Sequence, residues 1–229
     1  MTMPLDDLRY EIKFVVPITE SYRLSAWVRQ HTSAFGIAYP SRHVNNVYFD
    51  SYGLATYEEN LSGVSERTKI RLRWYGDDSE SLSGKLELKK KRNRLGWKTS
   101  FVIEQLPFFG RSWHQITRDL RAQLPPDGQS WLDDHPEAVL INRYVRQYYV
   151  SRNGRIRITL DTKLAAYDQR MTRSPNRTAR TNLPDVMVLE AKTDSSNFRE
   201  LGEVVSTMPA RVGRFSKYIS GLQTALTAS

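Results

Sequence analysis

Charged and apolar residues alternate strictly in five segments of the chain: 9–14, 69–74, 85–89, 155–161 and 187–192. A β-strand repeats every two residues, so each segment would have one apolar and one ionic face. The ionic faces carry mainly Arg and Lys, and three of them place a Glu two residues before a Lys: Glu11/Lys13, Glu87/Lys89 and Glu190/Lys192. The pattern therefore predicts a β-sheet with one unusually cationic side.

Two interpretations of this cationic side are open. One is an ordinary sheet whose polar side faces water. The other is that the cationic side binds an anion. Like charges on neighbouring strands repel, and an anion among them would relieve this repulsion. A closed barrel gathers many strands around one ligand. We favour this inside-out barrel, with a charged interior and an apolar exterior covered by helices. Apolar residues at helical spacing predict those helices at 19–33, 112–124, 197–208 and 214–226.

Composition narrows the class of protein. The 229 residues fit a single domain spanning 1–229, and the absence of cysteine excludes disulfides, a thiolate nucleophile and Cys-based metal sites. The net charge of +9 predicts a polyanionic partner. The basic excess lies in two blocks, 66–98 with a net charge of +6 and 143–180 with a net charge of +8. We expect neither a secretory signal nor a membrane-spanning helix, and a cytoplasmic location.

Familiar catalytic motifs are missing. The chain has no P-loop, no dinucleotide-binding fingerprint and no hydrolase nucleophile elbow, and its four histidines lack the spacing of a zinc site. A metal would need carboxylate ligands, which favours Mg²⁺ or Mn²⁺. Glu11, Glu87 and Glu190 are the candidates. The alternative is that each Glu only neutralises neighbouring lysines. For Glu87 both interpretations stand, whereas for Glu11 and Glu190 we favour the metal ligand.

Eight short segments, in this order, carry a resemblance to a known family: 11–13, 48–50, 69–73, 86–89, 142–143, 157–162, 189–192 and 216–218. The chain resembles the catalytic domain of the vacuolar transporter chaperone (VTC) polyphosphate polymerases. These belong to the triphosphate tunnel metalloenzymes, which also include CYTH-type triphosphatases. The resemblance implies an α+β fold in which a closed eight-stranded antiparallel β-barrel forms a tunnel with flanking helices.

The resemblance also implies roles for individual residues. Phosphate would be bound by Lys13, Arg71, Arg73, Lys89, Lys98, Arg143, Arg157, Ser216 and Lys217. Of these, the catalytic set would be Lys13, Arg71, Arg73, Lys89 and Lys217, and Glu190 would be the main metal ligand. The superfamily's E-x-E-x-K strand has Arg9 in place of its first glutamate here. This departure resembles the polymerases more than the triphosphatases, and it argues against a two-metal hydrolytic site.

The implied reaction is transfer of the γ-phosphate of ATP to a growing polyphosphate chain, with Mn²⁺ or Mg²⁺. The acceptor is itself a phosphate oxygen, so no strong general base is needed. An inorganic triphosphatase would use the same basic residues and stays an alternative. A non-catalytic polyanion-binding module, supported by the arginine-rich loop 170–180, is a third.

The expected partners are ATP and inorganic polyphosphate or triphosphate. We expect no specific nucleic acid partner, because Tyr10, Phe14 and Trp74 alternate away from the charges. A membrane-protein partner and any oligomeric state are left open by the sequence.

Overall fold

The computed structural model describes residues 9–77, 80–92 and 95–227. The strands are β1 (Arg9–Pro17), β2 (Gly36–Asp50), β3 (Glu66–Tyr75), β4 (Ser81–Arg92), β5 (Leu95–Pro107), β6 (Glu137–Val150), β7 (Ile156–Asp168) and β8 (Val186–Asp194). The α-helices are α1 (Ser21–Gln30), α2 (Ala55–Ser62), α3 (Trp113–Ala122), α4 (Pro126–Asp134), α5 (Phe198–Ser206) and α6 (Lys217–Thr227). Single 3-10 turns, Ile18–Glu20 and Ser195–Asn197, precede α1 and α5.

The strands form one sheet in the order β1-β8-β7-β6-β2-β3-β4-β5. Neighbouring strands run antiparallel. The predicted eight-stranded antiparallel sheet with flanking helices is therefore confirmed. Closure into a barrel is not confirmed, because over the described ranges β1 and β5 stand at the two ends of the order and no hydrogen-bonded ladder joins them.

Contacts along the chain group into two compact units. The first unit comprises Met1–Arg42, Tyr144–Leu164 and Pro184–Phe215. The second comprises His43–Arg143, Ala165–Leu183 and Ser216–Ser229. Strands β2, β6 and β7 contribute residues to both units, and the single domain spanning 1–229 stays a prediction.

The core of the first unit lies on the apolar face of β1, β7 and β8. Phe14, Ile158 and Leu189 are buried there against helices α1 and α5, which contribute Leu24 and Leu201. Removing such side chains from water is the main stabilising contribution to the unit, about 1.5–3 kcal/mol for each large apolar side chain. The alternation in segments 9–14, 155–161 and 187–192 thus indicates correctly which residues enter the core.

The core of the second unit lies on the apolar face of β3, β4 and β5. Ile70 and Leu86 are buried there against Ile116 and Leu120 of α3. Helix α3 begins where the sequence predicts a helix, because Ser112 and Gln115 form a capping box that satisfies two backbone N–H groups. Helices α2 and α4 were not predicted from the apolar pattern. In α4, Pro126 occupies the first turn, where proline is tolerated, within a segment whose composition suggests only turns.

Helix α6 packs closely on the second unit. A Cβ at Gly221 would lie 2.7 Å from Leu140 Cδ2 and 3.1 Å from Ala166 Cβ, so any larger residue would force the Leu140 side chain to shift. Tyr218 and Leu222 of the same helix are buried. This close approach fixes the first residues of α6, where two of the predicted site residues lie.

Candidate functional site

The first ionic cluster forms around Glu190 in the first unit. The β1–β8 register places Lys13 opposite Glu190 and Glu11 opposite Lys192. Lys13 Nζ donates to Glu190 Oε1 at 2.9 Å, and Lys192 Nζ donates to Glu190 Oε2 at 2.6 Å. Both ammonium groups also lie near the Glu11 carboxylate, at 3.0 and 3.6 Å. With Arg146 and Asp161, described next, these four residues are called the Glu190 cluster.

Arg146 is a member of this cluster that the sequence reasoning missed. It is 9% exposed, and its guanidinium holds the Asp161 carboxylate with two hydrogen bonds of 2.6 and 2.7 Å. The same group reaches Glu190 Oε2 at 3.5 Å. Burial alone would lower the pKa of Arg146, but Tyr144, Asp161 and Glu190 raise it well above its usual value. The guanidinium is therefore always charged and held in a bidentate geometry suited to oxyanions.

Arg143, which the resemblance implies as a phosphate-binding residue, stands three positions earlier on β6. Because a strand alternates, Arg143 and Arg146 lie on opposite faces. Arg143 Nη2 lies 2.5 Å from Asp77 Oδ1 and 3.1 Å from His43 Nδ1. Its role in phosphate binding stays a prediction. The alternating residues Tyr144, Arg146 and Tyr148 are the signal that could have identified Arg146.

The charges of the Glu190 cluster are balanced, with three cations and three carboxylates. Burial would lower the pKa of Lys13, but the carboxylates of Glu190 and Glu11 outweigh it and raise the pKa above its usual value. Arg157, also predicted to bind phosphate, lies opposite Lys192 and has its Nη2 3.8 Å from Asp194 Oδ1. It is exposed at the border of the cluster. The side chain of Arg9 lies outside the described part of the structure.

The second ionic cluster forms around Glu87 in the second unit. Arg71 stands opposite Glu87 in the β3–β4 register, and its Nε donates to Glu87 Oε2 at 2.7 Å. Lys98 Nζ lies 3.1 Å from Oε1, and Arg73 Nη1 lies 3.8 Å from Oε2. Burial would raise the pKa of Glu87, but these three cations lower it to about 2. Glu87, Arg71, Arg73 and Lys98 are called the Glu87 cluster.

A row of three lysines crosses the sheet beside this cluster. Lys69 stands opposite Lys89, and Lys89 stands opposite Lys98, so β3, β4 and β5 each contribute one ammonium group. Like charges directly opposite one another on neighbouring strands are destabilising. In contrast to the balanced Glu190 cluster, this face has several cations around the Glu87 carboxylate. The lysine row therefore offers three neighbouring ammonium groups to an added polyanion.

Neutral polar residues extend the Glu87 cluster across β2 and β6. Arg73 Nε donates to Asn46 Oδ1 at 2.9 Å, and Asn46 Nδ2 donates to Asn142 Oδ1 at 2.8 Å. Arg71 Nη1 donates to the Tyr48 hydroxyl at 3.4 Å. Burial would raise the pKa of Tyr48, but Arg71, then Arg73 and Lys217, lower it below its usual value. Asn46 and Tyr48 position the two arginines, and the sequence reasoning assigned neither of them a role.

The predicted residues Ser216 and Lys217 lie at the start of α6. Ser216 Oγ accepts from Lys69 Nζ at 3.1 Å and from the backbone N–H of Ile219 at 3.3 Å, so it links the lysine row to the helix. Next in sequence, the Tyr218 hydroxyl donates to Asp50 Oδ2 at 2.5 Å. The Tyr218 ring stacks on Tyr48 with a centroid distance of 4.7 Å. These contacts place Ser216 and Lys217 in the same unit as Arg71, Arg73, Lys89 and Lys98.

The carboxylates of the Glu190 cluster fit a hard divalent cation such as Mg²⁺ that is bound together with substrate phosphates. Among the described residues, no group of three or more His, Cys, Asp or Glu side chains could hold a metal by itself. Mg²⁺ and similar hard cations, however, are commonly bound through one or two carboxylates together with substrate phosphates. Glu190 and Glu11, which share Lys13 and Lys192, offer such a pair. Glu87 sits among three cations, which favours the interpretation that it neutralises them.

The arginine-rich loop between β7 and β8 is partly engaged in contacts of its own unit. Arg170 Nη2 lies 2.8 Å from Asp168 Oδ2. The Arg177 guanidinium lies 4.2 Å from the centre of the Phe109 ring. Asn176 and the buried Gln169 tie the loop together through hydrogen bonds. These contacts give several of the loop's polar groups a structural role.

In each unit, one face of the antiparallel sheet packs against helices and the other face carries ordered Lys, Arg and Glu side chains. These features define a class of helix-backed sheets with a charged face. This class suits recognition of an extended polyanion. The chain belongs to the VTC domain family, which it matches over residues 8–226, so the resemblance drawn from the eight segments is confirmed.

Two solved structures have a similar fold. One is a "putative adenylate cyclase" from Vibrio parahaemolyticus, with 12% sequence identity and a TM-score of 0.51, covering 93% of this chain and 98% of that one. The other is a "putative adenylate cyclase" from Bacillus halodurans, with 11% identity and a TM-score of 0.56, covering 93% and 96%. At these identities the likeness concerns the fold alone. A comparison with curated proteins finds no match to this chain.

Across the described residues, no helix combines the length and apolar character needed to cross a membrane.

Proposed function

We propose that the protein is a polyphosphate polymerase that transfers the γ-phosphate of ATP to a growing inorganic polyphosphate chain. Membership of the VTC domain family supports this assignment. The observation that carries it is the lysine row of Lys69, Lys89 and Lys98, beside Arg71 and Arg73. Three ammonium groups side by side on neighbouring strands suit several linked phosphates lying along them.

The arginines and lysines would contribute to phosphate binding in different ways. Phosphoryl transfer depends mainly on positioning and on neutralising charge on the phosphate oxygens. Arg71, Arg73 and Arg146 would supply planar, bidentate contacts, while Lys13, Lys89 and Lys217 would supply compact charges. Each charge-assisted contact contributes about 1.5–3 kcal/mol. Ser216 would add a neutral hydrogen bond.

Glu190, with Glu11 beside it, would hold Mn²⁺ or Mg²⁺. When bound, such an ion neutralises charge on the transferred group and orients it. Lys13 and Lys192, which contact both carboxylates, would then be available to phosphate oxygens. The acceptor is a phosphate oxygen that is already anionic, so the site needs no tuned histidine.

The direct test is incubation of the purified chain with ATP and Mn²⁺, with the products separated on a polyacrylamide gel. A ladder of long polyphosphates together with ADP is the expected result. Arg71→Ala and Lys217→Ala should each reduce synthesis by at least about 10- to 100-fold. Arg118→Ala is the matched control, because Arg118 lies on α3 of the same unit, is 64% exposed and pairs only with its neighbour Asp119 among the contacts seen.

The same assay separates the alternatives. Conversion of tripolyphosphate to orthophosphate alone, with no polymer from ATP, would replace the proposal by an inorganic triphosphatase. Binding of polyphosphate without turnover of either compound would indicate a polyanion-binding module. Full synthesis by both Arg71→Ala and Lys217→Ala would remove the Glu87 cluster and the start of α6 from the site.

A further inference from the structure

A cluster of aromatic and basic side chains lies in the first unit, apart from the residues assigned above. Tyr39 of β2 and Tyr148 of β6 meet edge to face, with ring centres 5.7 Å apart and an interplanar angle of 87°. The Arg42 guanidinium lies 5.0 Å from the centre of the Tyr148 ring and 5.8 Å from that of Tyr39. Arg42 Nε also donates to the Tyr148 hydroxyl at 3.3 Å. These three residues are called the tyrosine platform.

The platform is more open to solvent than the neighbouring Tyr144. Tyr39 is 59% exposed and Arg42 is also exposed, whereas Tyr144 is 2% exposed. An exposed aromatic ring beside a guanidinium offers two flat surfaces to a planar ligand. Nucleobases stack on such surfaces, and the contact tolerates any base because every base has a π-face.

The platform also lies close to the Glu190 cluster along one strand. Tyr148 follows Arg146 by two residues on β6, so the two side chains project from the same face and their Cα atoms are about 7 Å apart. Arg146 contacts Glu190 directly. Phosphates held at the Glu190 cluster would therefore leave the remainder of a nucleotide beside Tyr148. An inorganic triphosphate has no group that could use this surface.

We propose that the tyrosine platform stacks the base of a nucleoside triphosphate, and that it makes the site prefer a nucleotide donor over inorganic triphosphate. The inference rests on the proposed function, since it needs the donor's phosphates at the Glu190 cluster. It adds Tyr39, Arg42 and Tyr148 as specificity residues for the donor. Neither the sequence pattern nor the family resemblance assigned them a role.

The test compares two ligands on the full chain by isothermal titration calorimetry with Mg²⁺: ATP and tripolyphosphate. Tyr39→Ala should weaken ATP binding roughly tenfold and leave tripolyphosphate binding unchanged. Tyr39→Leu, which keeps apolar bulk but loses the aromatic face, should behave the same way. Tyr22→Ala is the matched control, because Tyr22 is 69% exposed on α1 of the same unit and lies outside the platform. It should bind both ligands like the wild type.

Each other outcome overturns a defined part of the inference. Unchanged ATP affinity in both Tyr39 variants, or an equal loss for ATP and tripolyphosphate, would remove the platform and leave the phosphate site standing. Loss of binding to a single-stranded oligoribonucleotide with ATP binding intact would assign the platform to nucleic acid instead. If the wild type binds neither ATP nor tripolyphosphate, the proposed function fails and the platform's role fails with it.

Discussion

Lys13 and Glu190 stand directly opposite each other on β1 and β8, with Nζ and Oε1 2.9 Å apart. The two residues are separated by 177 positions in sequence, and only the antiparallel register brings them together. The ammonium group also contacts Glu11, so a single lysine bridges two carboxylates. A divalent ion at these carboxylates would compete with this ammonium group for the same oxygens, so the proposed metal binding and phosphate binding would depend on each other.

Replacing Glu190 by glutamine tests its proposed role as a metal ligand. Glu190→Gln keeps the size of the side chain but removes the anionic oxygen, so we expect metal-dependent turnover to fall by about 100-fold or more. The affinity of the chain for Mn²⁺ should fall together with turnover. Electron paramagnetic resonance in the presence of tripolyphosphate measures this affinity. Glu203→Gln, an exposed glutamate on α5 paired with Arg199, is the control. Unchanged Mn²⁺ affinity in Glu190→Gln would mean that the ion is held elsewhere.

Glu87 should make the stability of the second unit depend on pH. Its pKa is about 2 in the folded protein against 4.5 for the free group, so its contribution is present above about pH 4.5 and is lost as the pH falls towards 2. At 1.36 kcal/mol per pKa unit this contribution is about 3 kcal/mol. Urea unfolding between pH 6 and pH 3 should therefore show a steeper loss for the wild type than for Glu87→Gln.

The control for this experiment is Glu66→Gln. Glu66 pairs with Arg92 on the same two strands, but both side chains are about 70% exposed. Solvent screens such a pair, and its removal should leave the pH dependence unchanged. Identical slopes for the wild type and Glu87→Gln would contradict the pairing of Glu87 with Arg71 and Lys98.

Much of the fold could be predicted because the relevant signals are local. Strict alternation located β1, β3, β4, β7 and β8, and apolar spacing located α1, α3, α5 and α6. Helix α2 has only eight residues and a weak apolar stripe, and Pro125, Pro126 and Gly128 at the start of α4 resemble a turn. Whether the sheet closes depends on pairing between β1 and β5, which no local pattern specifies.

The site was partly predictable for the same reason. Lys13, Arg71, Arg73 and Glu190 lie in alternating segments, so their common faces followed from the period of a strand. Arg146 was missed because β6 starts with the apolar run 138–141 and so shows no alternation at its start. Asn46 and Tyr48 are neutral residues, and only their hydrogen bonds with Arg73 and Arg71 connect them to the site. Long-range register, rather than residue type, gives these side chains their roles.

The buried pair of Arg146 and Asp161 should be strongly coupled. Asp161 is fully buried, so Arg146→Met would remove the two hydrogen bonds that its carboxylate accepts from the guanidinium and cost about 3–5 kcal/mol of stability. The double variant Arg146→Met with Asp161→Leu removes both charges and should recover most of that loss. Chemical denaturation of the two single variants and the double variant measures the coupling. Additive losses would show that the two side chains do not depend on each other.

Phosphate binding gives a second measurement on the same variants. Because Arg146 also contacts Glu190, the double variant should regain stability but not affinity for tripolyphosphate. Recovery of both properties would mean that Arg146 serves only the fold. Arg199→Met is the control. Arg199 lies in the same unit, is 95% exposed and pairs with Glu203 on the surface, so its replacement should change neither stability nor affinity for tripolyphosphate.

Tyr218→Phe should loosen the start of α6. The Tyr218 hydroxyl donates to the buried Asp50 carboxylate, which also accepts from the backbone N–H groups of Thr56 and Tyr57 at the beginning of α2. A hydrogen bond to a charged group contributes about 1.5–3 kcal/mol, so the variant should lose about 2 kcal/mol of stability. Burial, then Asp50, raises the pKa of Tyr218 above its usual value, so the hydroxyl stays protonated and the loss should be the same at pH 6 and pH 9.

The loss should extend to the neighbouring site residues. Ser216 and Lys217 directly precede Tyr218, and Ser216 accepts from Lys69, so tripolyphosphate affinity should fall several-fold along with stability. Tyr57→Phe is the matched control, because Tyr57 is 5% exposed in the same aromatic cluster and meets the Tyr218 ring edge-on at 6.4 Å. Calorimetric titration and urea unfolding of both variants distinguish the two effects. A loss of stability in Tyr218→Phe with wild-type affinity for tripolyphosphate would mean that the Asp50 hydrogen bond supports the fold without positioning Lys217.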